Sequence, residues 1–250
     1  MRSALASFFT LAFACAAACG GTSSSDDLVV DGNADGLDGS GLPHFSFFVT
    51  SMDTMVAQSG SADGFGGDLG GLAGADAICQ TAAAAVGFGA KTWRAFLSVN
   101  DDGTGSPVDA IDRIGAGPWY DRNGRLIAND VAGLLHTRPA GDAQVVNDLP
   151  DENGVPTTTL GDTHDILTGS DADGTLASGG PDATCNDWTS ASETGFDETV
   201  PCGHSWPAPS GQHWIRSHTL RGCAPGINLV QNGPGTGHCV GCGGGWGGVY

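Results

Sequence analysis

The sequence predicts a loop-rich α+β domain braced by disulfides, and three observations carry that expectation. One amphipathic helical pattern stands among short runs of β-branched and aromatic residues. Forty-two glycines and 28 acidic residues fill the intervening stretches, many as Asp-Gly and Asn-Gly pairs, which favour turns over long regular elements. Six cysteines, Cys79, Cys185, Cys202, Cys223, Cys239 and Cys242, lie downstream of an export signal, a setting that favours disulfides over thiols.

That signal is residues 1–18. Arg2 precedes an apolar stretch, residues 4–18, that is too short to span a bilayer core of about 30 Å. Ala16, Ala17 and Ala18 lead into Cys19, and Gly20, Gly21 and a Ser/Thr run follow. The arrangement resembles a bacterial lipoprotein cleavage site in which Cys19 becomes the acylated first residue, with Ala16 where leucine is usual; ordinary signal cleavage is the alternative. Cys15, two positions after bulky Phe13, is the poorer acceptor. The expected location is the outer membrane or cell surface, with the N-terminal lipid as the only membrane contact, or otherwise secretion. Residues 19–43 have no sustained periodicity and read as an acidic, flexible tether. Within them Asp31, Asn33, Asp35 and Gly36 match the first half of a calcium-binding loop. Leu42 stands where that loop needs a bidentate glutamate, so the tether reading is preferred.

About 230 residues remain after the signal, enough to bury a substantial core. The formal net charge of the chain is −19, and Lys91 is its single lysine. Such a surface repels phosphate backbones and anionic lipids, which excludes nucleic acid as a partner. Cations and cationic partners remain allowed.

Residues 44–250 form the folding domain. Residues 44–52, dense in aromatics, read as a buried strand. Leu72, Ala75, Ile78, Cys79, Ala82 and Val86 recur at three- and four-residue spacing before Gly87 and Gly89, predicting an amphipathic helix with Cys79 on its buried face. Residues 92–99 read as a strand. Residues 119–128 read as two short strands about the Asn123-Gly124 turn, where positive φ is cheap. Residues 129–167 hold few apolar side chains and are expected to be surface loops.

Chemistry concentrates toward the C-terminus. In TGSDADGTLASGGPDATCNDW, residues 168–188, the glycines suit tight turns and Trp188 can pack against a bridge at Cys185. Asp171 and Asp173 are left on an exposed loop, either as solvated turn residues or as calcium ligands helped by Asp187 or Asp182. HCVGC, residues 238–242, offers three of four zinc ligands, with Cys202, Cys223 or His218 as the fourth; disulfides and a surface histidine are the preferred reading. GHSWP, residues 203–207, begins like a nucleophile elbow but has Pro207 where the second glycine is needed. His213 and His218, flanking WIRS, read as strand rim residues. Trp206, Trp214 and Trp246 are candidate ligand-binding aromatics.

The ordered set GADAICQTAAAAVG, KTWRAFLS, GPWYDRNGRLIA, ILTGSDADGTL, ATCNDWTS and GWGGVY resembles the endostatin-like group of bacterial secreted and lipoprotein domains. That group is related to the collagen XV and XVIII C-terminal domain and has a C-type-lectin-like fold. The resemblance implies that Cys185 pairs with Cys242 or Cys239 and that Cys202 closes a local loop with Cys223. Such domains continue with a cysteine where this sequence reaches Tyr250, so Cys79 is expected to be a free buried thiol or to take Cys239. The family's N-terminal zinc histidines and heparin-binding arginines have no match here. The expected function is a non-catalytic binding or adhesion module for a glycan or protein, with calcium as the candidate cofactor. A secreted hydrolase or a structural envelope protein are the alternatives.

Overall fold

The first helix begins where a side chain supplies its end. Ser51 is extended and accepts a hydrogen bond from the Thr54 amide at 3.1 Å, starting α1 (Met52–Ser59), and Gly60 closes it in the left-handed conformation. In α2 (Gly71–Ala85) the predicted stripe is the buried one, with Ala75, Ile78, Cys79, Ala82 and Ala83 turned inward. The computed structural model describes residues 44–160, 164–192, 199–207, 212–220, 222–226 and 245–250. Cys19 and the tether residues Asp31, Asn33 and Asp35 lie outside these, as do Cys239 and Cys242.

The segment before α1 corrects one expectation. Residues 44–51 are extended and mostly buried, but a single bridge, Val49 to Asp151, replaces a ladder because the helix starts at Met52. Residues 92–99 are likewise extended with one bridge, Val99 to Val108; the amides of Phe96 and Ser98 donate to the Tyr250 and Thr168 carbonyls at 2.9 and 3.0 Å. β1 (Trp119–Tyr120) and β2 (Leu126–Ala128) form the expected antiparallel pair about the Asn-Gly turn. Buried Asp121 holds that turn, its Oδ1 accepting from the amides of Asn123 and Arg125 at 3.0 and 2.7 Å.

Within the span 129–167, the described residues 129–160 depart further from the surface loops expected. Asp130 and Asp142 cap two single-turn helices, α3 (Val131–Leu134) and α4 (Ala143–Val146), which bury Leu134, Val145 and Val146. Leu149, Asp151 and Glu152 are buried after them. Glu152 is tolerated inside because it accepts from the Ser51 amide at 2.8 Å and from the Ser51 and Thr54 hydroxyls at 2.5 Å. One turn of helix is too short for a 3.6-residue period to show in the sequence.

The main sheet runs β5-β4-β3-β6, from β3 (Asp165–Leu167), β4 (Val200–His204), β5 (His218–Leu220) and β6 (Gly245–Val249). β3, β4 and β5 are antiparallel, and β6 lies parallel to β3. Aromatic rings fill the core. Phe45 packs on Phe48, Phe88 and Trp93, and Trp214 on Phe47, Phe96 and Tyr250. Helices and small, mainly antiparallel sheets thus make an α+β fold. No helix among the described residues is long and apolar enough to cross a membrane.

Cys185 is bonded to Cys223, with their Cα atoms 5.7 Å apart. This corrects both implied pairings, Cys185 with Cys242 or Cys239 and Cys202 with Cys223. The reason is topological: Cys202 lies within the sheet opposite His218, whereas the Cys223 carbonyl is held by the Gly67 amide at 2.7 Å, beside Cys185. Cys79 and Cys202 are buried thiols.

Candidate functional site

Strand parity assembles one polar cluster inside the sheet. Cys202 and His204 are two apart on β4 and so share a face. His204 stands opposite Asp165 of β3, and Cys202 opposite His218 of β5. Three adjacent strands therefore deliver an aspartate, a thiol and two imidazoles to one place. The His218 Nε2 donates to Asp165 Oδ1 at 3.0 Å, and the His204 Nε2 lies 3.1 Å from the same oxygen. His164 Nε2 is 3.6 Å away, and Cys202 Sγ is 3.5 and 3.7 Å from the two ring nitrogens of His218.

The cluster is buried on one side and open on the other. Asp165 and His204 are 3% exposed, whereas the His218 side chain is 43% exposed. Burial by itself would raise the Asp165 carboxyl; close contacts with His204 and His218 and the charges of His218 and His164 outweigh it and hold the group far below the carboxylate range. Burial lowers His204, only partly countered by Asp165. The bond to Asp165 raises His218 against the opposing effect of burial. Burial, reinforced by Asp165, pushes the Cys202 thiol up, so it is neutral at pH 7. The His164 ring packs against His204 and Trp206, centroids 4.1 and 4.7 Å apart, and forms the cluster's wall.

Two sets of three ligand atoms lie within 4.8 Å of one another among the described residues: those of His164, Asp165 and His204, and those of Asp165, Cys202 and His218. Of these residues, sequence reasoning placed Cys202 and His218 in a metal set, each only as an alternative fourth ligand to the segment at residues 238–242, which lies outside the described residues. The Asp165 carboxylate gives no local signal, because its neighbours arrive from strands 39 and 53 residues on.

The segment at residues 168–188 is the second feature. Cys185, Asn186, Asp187 and Trp188 all have φ between 49° and 62°, one turn of left-handed helix built without glycine, which costs roughly 1–2 kcal/mol per residue. Five contacts hold it. Cys185 is covalently tied, the Trp188 indole donates to the Ser98 carbonyl at 2.9 Å, and Asp187 Oδ1 accepts from the Asn100 amide at 2.7 Å and the Thr184 hydroxyl at 2.9 Å. The remaining one, from the Asn186 amide group to the Thr189 hydroxyl at 2.8 Å, lies at the surface. Gly169 approaches so closely that a Cβ there would lie 2.7 Å from the Trp188 ring.

Asp171 forms an ion pair with Arg216, and Asp173 Oδ1 accepts from the Thr175 amide and hydroxyl at 3.1 and 2.6 Å, the pattern of a turn residue. With Asp187 engaged and Asp182 exposed, the candidate calcium ligands do not converge on one point. Trp214 corrects its assignment as a ligand-binding aromatic: it is fully buried and its indole donates to the Leu134 carbonyl at 2.8 Å. Trp206 is half-buried. Trp246 lies on β6, with its side chain outside the description. Ser205 is fully buried, accepts from the Thr157 hydroxyl at 2.8 Å and donates to the His164 carbonyl at 3.5 Å. His213 Nδ1 accepts the Ile215 amide at 3.0 Å. The HCVGC segment lies outside the described residues, and Cys223 is consumed by the disulfide. A cavity of about 540 Å³ sits elsewhere, walled by Phe47, Phe48, Trp93, Phe96 and Trp119, with Arg94 and Arg113 at its lining.

No protein-family model matches the chain, and comparison with curated proteins finds no match.

Proposed function

We propose that this chain is an exported, lipid-anchored binding module: Cys19 carries the lipid, residues 19–43 supply reach, and residues 44–250 form an endostatin-like, C-type-lectin-like domain that engages a glycan or protein at the cell surface. The observation that carries this reading is the pinned corner at residues 168–188. A disulfide, a buried tryptophan and a half-buried carboxylate spend their bonding on fixing glycine-rich loops in one conformation, and loops preordered on a rigid scaffold bind without a large entropic penalty. The placement of Ser205 supports a non-catalytic role, since a fully buried hydroxyl already engaged with Thr157 and a backbone carbonyl is not positioned as a nucleophile.

Two measurements test the proposal. Full-length chain expressed in a bacterium should incorporate labelled palmitate, and Cys19→Ser should abolish it. The purified mature chain should then retain a ligand from a glycan array or an envelope extract, with loop substitutions such as Asp171→Ala or Thr175→Ala weakening retention about tenfold, or ~1.4 kcal/mol. Turnover of an ester or glycoside substrate without any retained ligand would overturn it.

A further inference from the structure

We propose that Asp165, Cys202, His204 and His218 form a tetrahedral site for one divalent transition-metal ion, of which zinc fits the donor set best. The site stands apart from the binding-module reading, since it needs neither export nor an external ligand.

Geometry carries the inference. Zinc bonds of about 2.0–2.1 Å to nitrogen or oxygen and about 2.3 Å to sulfur place neighbouring ligand atoms of a tetrahedron about 3.3 Å apart, or about 3.6 Å where one is sulfur. The observed separations are 3.0 and 3.1 Å from Asp165 Oδ1 to the His218 and His204 Nε2 atoms, and 3.7 Å from Cys202 Sγ to His218 Nε2. Asp165, Cys202 and His218 therefore need to shift by only a few tenths of an ångström around an ion, and His204, which meets Asp165 but lies in a set with His164 and not with Cys202 and His218, must close on it as the fourth ligand.

Polar satisfaction points the same way. Both ring nitrogens of buried His204 lack an aligned hydrogen bond among the described residues, although Nε2 faces Asp165 at contact distance. An ion between Nε2 and Oδ1 supplies that missing partner. The Asp165 carboxylate, nearly fully buried, has ion pairs only to histidines among the described residues, and the adjacent guanidinium of Arg216 is committed to Asp171. A divalent cation compensates a buried carboxylate where no arginine or lysine does.

Ligand chemistry chooses the ion. A thiolate with two imidazoles and one carboxylate suits zinc and disfavours calcium or magnesium, which take oxygen ligands. Binding replaces the Cys202 thiol proton with the metal and releases that proton to solvent. His218, at the open edge, gives the ion its way in.

The test uses the purified, non-reduced full chain, depleted with chelator and then dialysed against zinc or cobalt. Metal analysis should return one ion per chain. The cobalt form should show tetrahedral visible bands and a thiolate-to-cobalt charge-transfer band. Asp165→Asn and His218→Gln should each weaken zinc binding about 100-fold or more, beyond the loss typical of outer residues. Cys202→Ser should keep the visible bands and lose the charge transfer. His164→Gln should bind within about threefold of wild type, because its ligand atom groups with Asp165 and His204 and not with Cys202 and His218. His218 is surface-exposed, so its variant remains informative if Asp165→Asn fails to fold. Failure to retain stoichiometric metal would overturn the proposal, and so would retention that survives His218→Gln but disappears in a Cys239→Ser/Cys242→Ser variant.

Discussion

Single atoms decide more here than residue classes do. At Gly169, φ is 61° and a Cβ would press to 2.7 Å of the Trp188 ring, so Gly169→Ala combines left-handed strain with overpacking. Equilibrium urea unfolding should show a loss of about 2–4 kcal/mol. At Gly87, also at positive φ but with no atom within 4 Å, alanine should cost only about 1 kcal/mol. His213 illustrates titration at the same scale. Burial, helped by the charge of Arg138, keeps its pKa below the ordinary imidazole value despite the Leu135 backbone contact. The unfolded chain therefore binds the proton more readily: the contribution is present above pH ~6.5 and is lost as pH falls through the lower folded value. Urea midpoints measured from pH 7 down to pH 5 should fall more steeply for wild type than for His213→Asn, which keeps an acceptor for the Ile215 amide without a titrating ring.

Elements are stabilised by partners from far along the chain. α1 is capped locally by Ser51, yet Glu152, 101 residues away, binds that cap and Thr54 together. Glu152→Ala should therefore orphan three donors and cost about 3 kcal/mol, where an exposed carboxylate such as Asp53 of α1 should give under about 0.5 kcal/mol; thermal unfolding of the two variants checks the contrast. The Cys185–Cys223 bridge spans 38 residues, and loop-closure entropy gives it about 4 kcal/mol, so the Cys185→Ala/Cys223→Ala double variant should unfold at markedly lower denaturant. These contrasts also explain what was legible. α2 and the β1–β2 turn were visible because their signals are local: a helical stripe ending in Gly87, and an Asn-Gly pair. α3, α4 and the interior position of Glu152 were not, since single turns carry no period and a carboxylate's burial depends on distant hydroxyls.

Across the molecule, the same division separates the α+β class, legible from composition and punctuation, from the cluster at Asp165, which exists only once β3, β4 and β5 are in register. Disulfide pairing belongs to the second kind, for Cys202 and Cys223 are close in sequence yet point to different neighbours. Metal linkage gives the prediction at this scale. Zinc at about 100 times its dissociation constant adds ~2.7 kcal/mol to the folded state, a rise of about 5–10 °C in Tm for a domain of this length. Calcium at equal excess over the chain should leave Tm unchanged, since the Asp171 and Asp173 carboxylates are spent on Arg216 and Thr175; calorimetry with each ion distinguishes them.

The Cys185–Cys223 bridge closes a covalent ring that encloses Cys202, His204 and His218 and leaves Asp165 outside it. With the proposed metal site, that ring makes the order of oxidation and metal capture matter. An ion captured early by reduced Cys185 or Cys223 alongside Cys202 blocks oxidation, whereas a bridge formed first removes those two thiols from competition and leaves Cys202 available to the ion. On the proposed site, chain refolded with the bridge formed first should therefore take up more zinc than chain refolded with zinc present before oxidation.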